Sequence, residues 1–129
     1  MTQRHAISTD NAPAAIGAYS QAVRHGSSVY ISGQIPIDPA TQNVIEGDAR
    51  AQIDQVFKNV EALAQAAGGS LDDVVKVMVY LTDLGDFPIV NEAMERYFAK
   101  PYPARAAIGV ASLPKGVSVE VEAIMSVPD

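Results

Sequence analysis

The chain has 129 residues, 48% hydrophobic and 19% charged, with 9 basic against 15 acidic side chains and a formal charge of −6. That is the length of a single domain, here 1–129, with enough apolar mass to bury a core, and it excludes a disordered chain. There is no cysteine, which rules out a disulfide framework, a thiolate metal site and a cysteine nucleophile.

The opening MTQRHAISTDNAPAA lacks the apolar core of a signal peptide, and no apolar run approaches membrane length; a cytoplasmic location without membrane contact is expected. Val29 to Gly33 (VYISG) reads as a strand running into the turn QIPIDPAT. Asp48 is a plausible N-cap for a helix through Ala67, because Ala49, Ile53, Val56, Phe57, Val60, Ala64 and Ala67 recur at helical spacing. Gly68-Gly69 ends it and, without the lysine and further glycines of a phosphate loop, carries no nucleotide signal. Ser70 to Asp73 reads as turn capping.

Val74 to Leu81 is a strand with Val75, Val77, Val79 and Leu81 on one face and Lys76, Met78 and Tyr80 on the other. Lys76 is read as a solvated or interface residue, not as an amine nucleophile. Asp86 is expected to cap a second helix whose core side is Phe87, Val90, Met94, Tyr97 and Phe98, with Pro88 in its first turn and Pro101 and Pro103 beyond its end. Two further strands finish the chain around a Leu-Pro-Lys-Gly turn. This order predicts a two-layer α+β domain, one sheet with two helices on one face.

Ala106, Ile108 and Val110, with Val117, Val119, Val121, Ala123 and Met125, are assigned to the helix side. The other face then holds Arg105, Ala107, Gly109 and Ala111 beside Ser118, Glu120, Glu122 and Ile124. Such a mixed face suits an oligomer interface holding a pocket. Pairing the two strands as a hairpin would set Glu122 across from Arg105 and Glu120 across from Ala107. An arginine fork among small residues suits a carboxylate ligand, and a neighbouring glutamate can orient and deprotonate a water. From spacing alone, a structural ion pair between Arg105 and Glu122 or Glu120 is the simpler reading.

Basic residues are scattered along the chain, which argues against a nucleic-acid surface unless an oligomer assembles one. His5 and His25 have no partners at ligand spacing and suggest no metal. Tyr19 reads as a packed ring, Ser32 as a turn-capping hydroxyl, and Asn91, on the margin of the second helix's apolar stripe, as a buried amide bonded to a neighbouring loop.

PARAAIGVASLPKGVSVEVEA resembles the C-terminal signature of the RidA family, the reactive-intermediate imine deaminases of YjgF type. NAPAAIGAYSQAV, ISGQIP and DFPIVNEAMERYF resemble its other blocks in order, so the likeness spans essentially the whole chain. It implies a chorismate-mutase-like fold, a homotrimer with sites at subunit interfaces, and hydrolysis of 2-imino acids or their enamine tautomers to 2-keto acids and ammonia. No cofactor or metal is implied: the substrate is already an imine, so neither a Schiff-base lysine nor an electron sink is required.

The resemblance places the carboxylate-clamping arginine on Arg105 and the water-positioning glutamate on Glu120, not Glu122. Supporting residues fall on Tyr19, Ser32, Gly33 and Asn91. Ala107 stands where a cysteine is frequent, a position whose backbone touches ligand in the family, and Ala18 stands where a proline is common. Competing readings are a non-catalytic 2-keto acid binding module, a ribonuclease or translation inhibitor, and a 2-aminomuconate-type deaminase.

Overall fold

Apolar spacing sets most elements where the sequence predicts them, and two further strands precede them. The computed structural model describes residues 3–128. In chain order these form β1 (Arg4–Ile7), β2 (Ala22–His25), β3 (Ser28–Gln34), β4 (Ile37–Asp38), β5 (Asn43–Val44), α1 (Ala49–Ala66), β6 (Val74–Leu81), α2 (Phe87–Tyr97), β7 (Ala104–Gly109) and β8 (Val119–Ser126). The main sheet has six strands in the order β1-β2-β3-β8-β6-β7, mixed because β6 and β7 run parallel while all other neighbours are antiparallel. The turn segment QIPIDPAT contributes to a small β4–β5 hairpin beside it.

Asp48 caps α1 as expected, its carboxylate accepting the Ala51 N–H at 3.0 Å. The helix lays Ile53, Val56, Phe57, Val60, Leu63 and Ala64 against the sheet, all buried. Burying one such side chain contributes about 1.5–3 kcal/mol. Asn59 is buried too, but its amide donates to the carbonyls of Ile35 at 3.2 Å and Ile37 at 2.9 Å. This bond pair meets the cost of burial and ties the β4 segment to the helix. Gly68, at φ +92°, makes the left-handed turn that ends the run. Ser70 and Asp73 then form a reciprocal capping box.

The sheet's helix-facing side alternates as expected along β8, where Val119, Val121, Ala123 and Met125 are buried. On β6, Val77, Val79 and Leu81 follow, but Val75 is 50% exposed. A bulge shifts the pairing with β8 between Val74 and Lys76, so Val74 takes the core position and Val75 turns out.

Asp86 corrects a second expectation. Its side chain makes no capping bond to α2. Capping falls to Asp83, which accepts the Gly85 N–H at 2.8 Å and starts a short 3-10 turn leading into the helix. On α2, Val90, Ala93 and Met94 are buried, and Tyr97 and Phe98 flank Phe57 at ring distances of 5.6 and 6.0 Å.

The largest correction concerns the last two strands. β7 and β8 are not neighbours, because β6 lies between them. A parallel pair needs a crossover, and α2 supplies it between β6 and β7. That leaves the other edge of β6 open to β8, which zips antiparallel between β3 and β6. β7 is paired so that Arg105 lies beside Val77, Ala107 beside Val79 and Gly109 beside Leu81. Arg105, Ala107 and Gly109 therefore face the helices, while Ala106 and Ile108 look outward, the reverse of the predicted assignment.

Outside the core, α1 and α2 are joined by Asp54, which accepts Tyr97 Oη–H at 2.8 Å and pairs with Arg96 at 3.2 Å and Lys58 at 3.4 Å. Burial alone would push the Asp54 carboxyl up, but the bonds from Tyr97, Arg96 and Lys58 outweigh it and hold it below its ordinary value. A carboxyl depressed on folding adds stability above its unfolded pKa and loses it as pH falls through the folded one. Asp54→Asn is expected to cost about 1–2 kcal/mol at pH 7, with wild type and variant converging below pH ~4. Denaturant titrations at both pH values check this.

Candidate active site

The residues singled out from sequence gather into two separate clusters. Arg105 and Asn91 line a cavity of about 650 Å3 between the end of α2 and β7. Tyr19, Ser32, Gly33 and Glu120 line another of about 480 Å3. In one chain the two cannot meet. Arg105 shares the helix-facing side with Val77, whereas Glu120 pairs with Tyr80 on the open side of the sheet.

Arg105 is exposed and held only by neutral groups. Its Nη1 donates to Asn91 Oδ1 at 3.0 Å and lies 3.4 Å from Met94 Sδ, and the guanidinium sits 4.7 Å from the Phe87 ring centroid. Among the described residues no carboxylate lies within ion-pair distance of it. The structural ion pair with Glu120 or Glu122 is therefore absent. A positive fork oriented by neutral partners keeps its charge available for an incoming anion. Asn91 is exposed, not buried, and its own amide N–H donates to Glu95 Oε1 at 3.2 Å. Ala107 packs against the core and lines neither cavity.

The second cluster depends on a bulge. The β3–β8 register slips between Ile31 and Gln34, where Gly33 allows a close backbone approach. A Cβ at Gly33 would overlap Oε2 of Glu120 and lie 2.9 Å from its Cδ. Ser32 donates its hydroxyl to the Ser20 carbonyl at 2.6 Å, and Tyr19 Oη accepts the Ile16 N–H at 3.3 Å. Ser32 thus bonds a neighbouring segment, and Tyr19 is an exposed ring, not a packed one.

Burial pushes the Glu120 carboxyl above its ordinary value, and the charge of Glu122 pushes the same way. Glu122 is engaged by the Tyr80 hydroxyl, a hydrogen bond that raises the tyrosine's pKa with help from burial and from both glutamate charges. One carboxylate is thus held while its neighbour is left less acidic, which suits a base near neutral pH.

Sequence reasoning missed Gln21, Tyr80, Phe87 and Lys100. Gln21 is buried, and its amide N–H groups bond the carbonyls of Thr9, Ala12 and Pro13 at 3.0, 3.3 and 2.8 Å, holding the segment before Tyr19 onto β2. A lone glutamine at a strand start carries no pattern that reveals such a clamp. Lys100 lines the Arg105 cavity. The open sheet face, apart from the acidic pair, exposes Tyr30 at 50% and Ile108 at 45%. Among the described residues no group of three or more His, Asp or Glu side chains is placed to hold a metal, His5 and His25 are exposed, and no helix is long and apolar enough to cross a membrane.

A mixed sheet backed by two helices, with an arginine free of carboxylate partners on one side and a half-buried glutamate on the other, describes an α+β protein. Residues 9–127 match the family model described as endoribonuclease L-PSP, and the chain belongs to that family, the YjgF/RidA family. The crystal structure of RidA from the Antarctic bacterium Psychrobacter superposes with a TM-score of 0.92 at 55% identity, covering 95% of this chain and 99% of that one. A RutC family protein of Pyrococcus horikoshii is 50% identical over 121 residues, 94% of this chain and 96% of its own. A 2-iminobutanoate/2-iminopropanoate deaminase of Rattus norvegicus is 48% identical over 121 residues, 94% of this chain and 88% of its own.

Proposed function

We propose that the chain is a cytosolic, cofactor-independent hydrolase of 2-imino acids, of the 2-iminobutanoate/2-iminopropanoate class, working as a homotrimer. Each site draws Arg105 and Asn91 from one protomer and Tyr19, Ser32, Gly33 and Glu120 from its neighbour. The observation that carries this reading is the separation of Arg105 and Glu120 onto opposite sides of one sheet, each in an incomplete cavity. Packing the β7 edge of one copy against the open face of the next brings Arg105 toward Glu120 and covers exposed Tyr30. Relatives of 43% to 48% identity named as 2-iminobutanoate/2-iminopropanoate deaminases support the activity.

In this reading the guanidinium fork binds the substrate carboxylate through two parallel charge-assisted bonds. That fixes the imine carbon in front of Glu120, and position supplies most of the rate. Glu120 accepts a proton from the water as the C–O bond forms to the protonated imine carbon and the C=N pair settles on nitrogen, giving a neutral carbinolamine. The same carboxyl returns that proton to the nitrogen, then as a carboxylate takes the hydroxyl proton while the C–N bond breaks and the keto C=O forms, so that ammonia and the 2-keto acid leave and the last proton passes to solvent. Ala107 adds no thiol to this chemistry.

Ribonuclease action has the family's description behind it, but three cations on the helical layer, Arg50, Arg96 and Lys58, are tied to Glu92 and Asp54, which leaves little grouped positive charge to track phosphates.

The test uses wild type and two single variants, Arg105→Ala and Glu120→Gln, assayed by ammonia release from 2-iminobutanoate generated in situ. Each variant alone is expected to be inactive. Co-refolded at equal amounts, they should regain about a quarter of the wild-type rate, since each shared site draws its arginine and its glutamate independently from half-intact pools. No recovery in demonstrably mixed oligomers would place both residues in one chain's site and overturn the shared-site reading.

A further inference from the structure

The cavity around Arg105 contains a second cation with no assigned task. Lys100 lines it together with Asn91, Met94, Glu95, Tyr102 and Arg105. Lys100 has no ion-pair partner among the described residues, and neither has Arg105. Glu95 brings the one negative charge on this wall, and the Asn91 amide already donates to it at 3.2 Å. Two cations therefore face one carboxylate, leaving a net positive cavity open to an anion.

The chain between the two cations points the same way. The segment joining the two cations, Lys-Pro-Tyr-Pro-Ala-Arg, contains Pro101 and Pro103, whose rings restrict the backbone and keep the two side chains on one stiff connector. A ligand with a single acid group leaves Lys100 without a counter-charge, whereas a ligand with acid groups at both ends engages both cations.

Resting on the deaminase reading, we propose that Lys100 binds a second acid group, so that the chain prefers 2-imino acids whose side chain ends in a carboxylate. Arg105 takes the carboxylate next to the imine carbon, and Lys100 takes the distal one. Lysine suits the distal position because its flexible ammonium accepts a carboxylate at varied distance, whereas the fork at Arg105 sets orientation. The preference is ionic and both cations are exposed, so added salt weakens it.

The experiment compares kcat/KM for imines generated in situ from glutamate and from 2-aminobutyrate, in wild type and Lys100→Met, with melting-temperature shifts by 2-oxoglutarate and 2-oxobutanoate as a binding arm. The expected wild-type ratio of dicarboxylate to monocarboxylate kcat/KM exceeds one. It should fall about tenfold in Lys100→Met through KM, and it should fall with added salt. The larger melting shift with 2-oxoglutarate should disappear in the variant. A wild-type ratio at or below one, or a ratio and melting shifts untouched by Lys100→Met, overturns the role of Lys100 and leaves the deaminase reading standing. Turnover of neither imine by wild type overturns the deaminase reading, and the melting shifts then decide Lys100 by themselves.

Discussion

Arg105→Ala is expected to lower kcat/KM for 2-iminobutanoate by about three orders of magnitude while the protein melts close to the wild-type temperature. The activity loss follows from two charge-assisted hydrogen bonds, each worth about 1.5–3 kcal/mol, that no remaining group replaces. The stability forecast follows from what holds the side chain: an amide oxygen, a thioether and the Phe87 ring, with no carboxylate left unpaired by its removal. Losing the stacked cation costs about 0.5–1 kcal/mol. Arg105→Lys keeps the charge but not the fork, so it should recover only part of the loss. Steady-state ammonia release beside a thermal melt decides the matter; wild-type turnover in Arg105→Ala would remove the clamp from the mechanism.

The second large effect is expected at a residue with no side chain. Gly33→Ala places a methyl group where Glu120 Oε2 now lies and within 2.9 Å of its Cδ. The backbone at Gly33 is not in the left-handed region, so alanine is accepted without strain and the flexible carboxylate gives way. With Glu120 as the proposed base, displacing it by about 1 Å should cost roughly a hundredfold in kcat. KM should change little, because the carboxylate clamp is elsewhere. An alanine variant with unaltered kcat would show that the position of Glu120 does not matter to turnover, and the base would have to be sought among other groups.

Much of the architecture was legible because it depends on local spacing. The apolar repeat of α1, its Asp48 cap, the glycines after it, and the alternation of β8 all specify burial within a few residues of themselves. The four-residue strands β1 and β2 escaped notice, since RHAI and AVRH contain too few apolar positions to show a period. Val75 was misplaced by a bulge, a defect in pairing that belongs to β6 and β8 jointly. Asp86 looked like a cap because of its position, yet the turn set by Asp83 already delivers the chain into α2.

The candidate site divides along the same line. Residue type alone indicated that Arg105 suits a carboxylate and that a neighbouring glutamate can hold a water, while the resemblance chose Glu120 over Glu122 and added Tyr19, Ser32, Gly33 and Asn91. Their grouping was not readable. The two terminal strands look like a hairpin because they are adjacent in the chain, but adjacency in sequence does not decide adjacency in a sheet. The α2 crossover ties β7 to the outer edge of β6, and β8 finds two partners by entering between β3 and β6.

By its own pattern, then, this chain determined a sheet with two covering helices and a short roster of polar residues whose types suit an acid group and a water, because burial periodicity and functional-group chemistry are local properties. Only the tertiary structure decided that Arg105 turns toward α2 while Glu120 turns away from it, and that Lys100 shares the arginine's cavity. Strand order and pairing register set which way each side chain points, and both are settled by contacts between segments far apart in the chain.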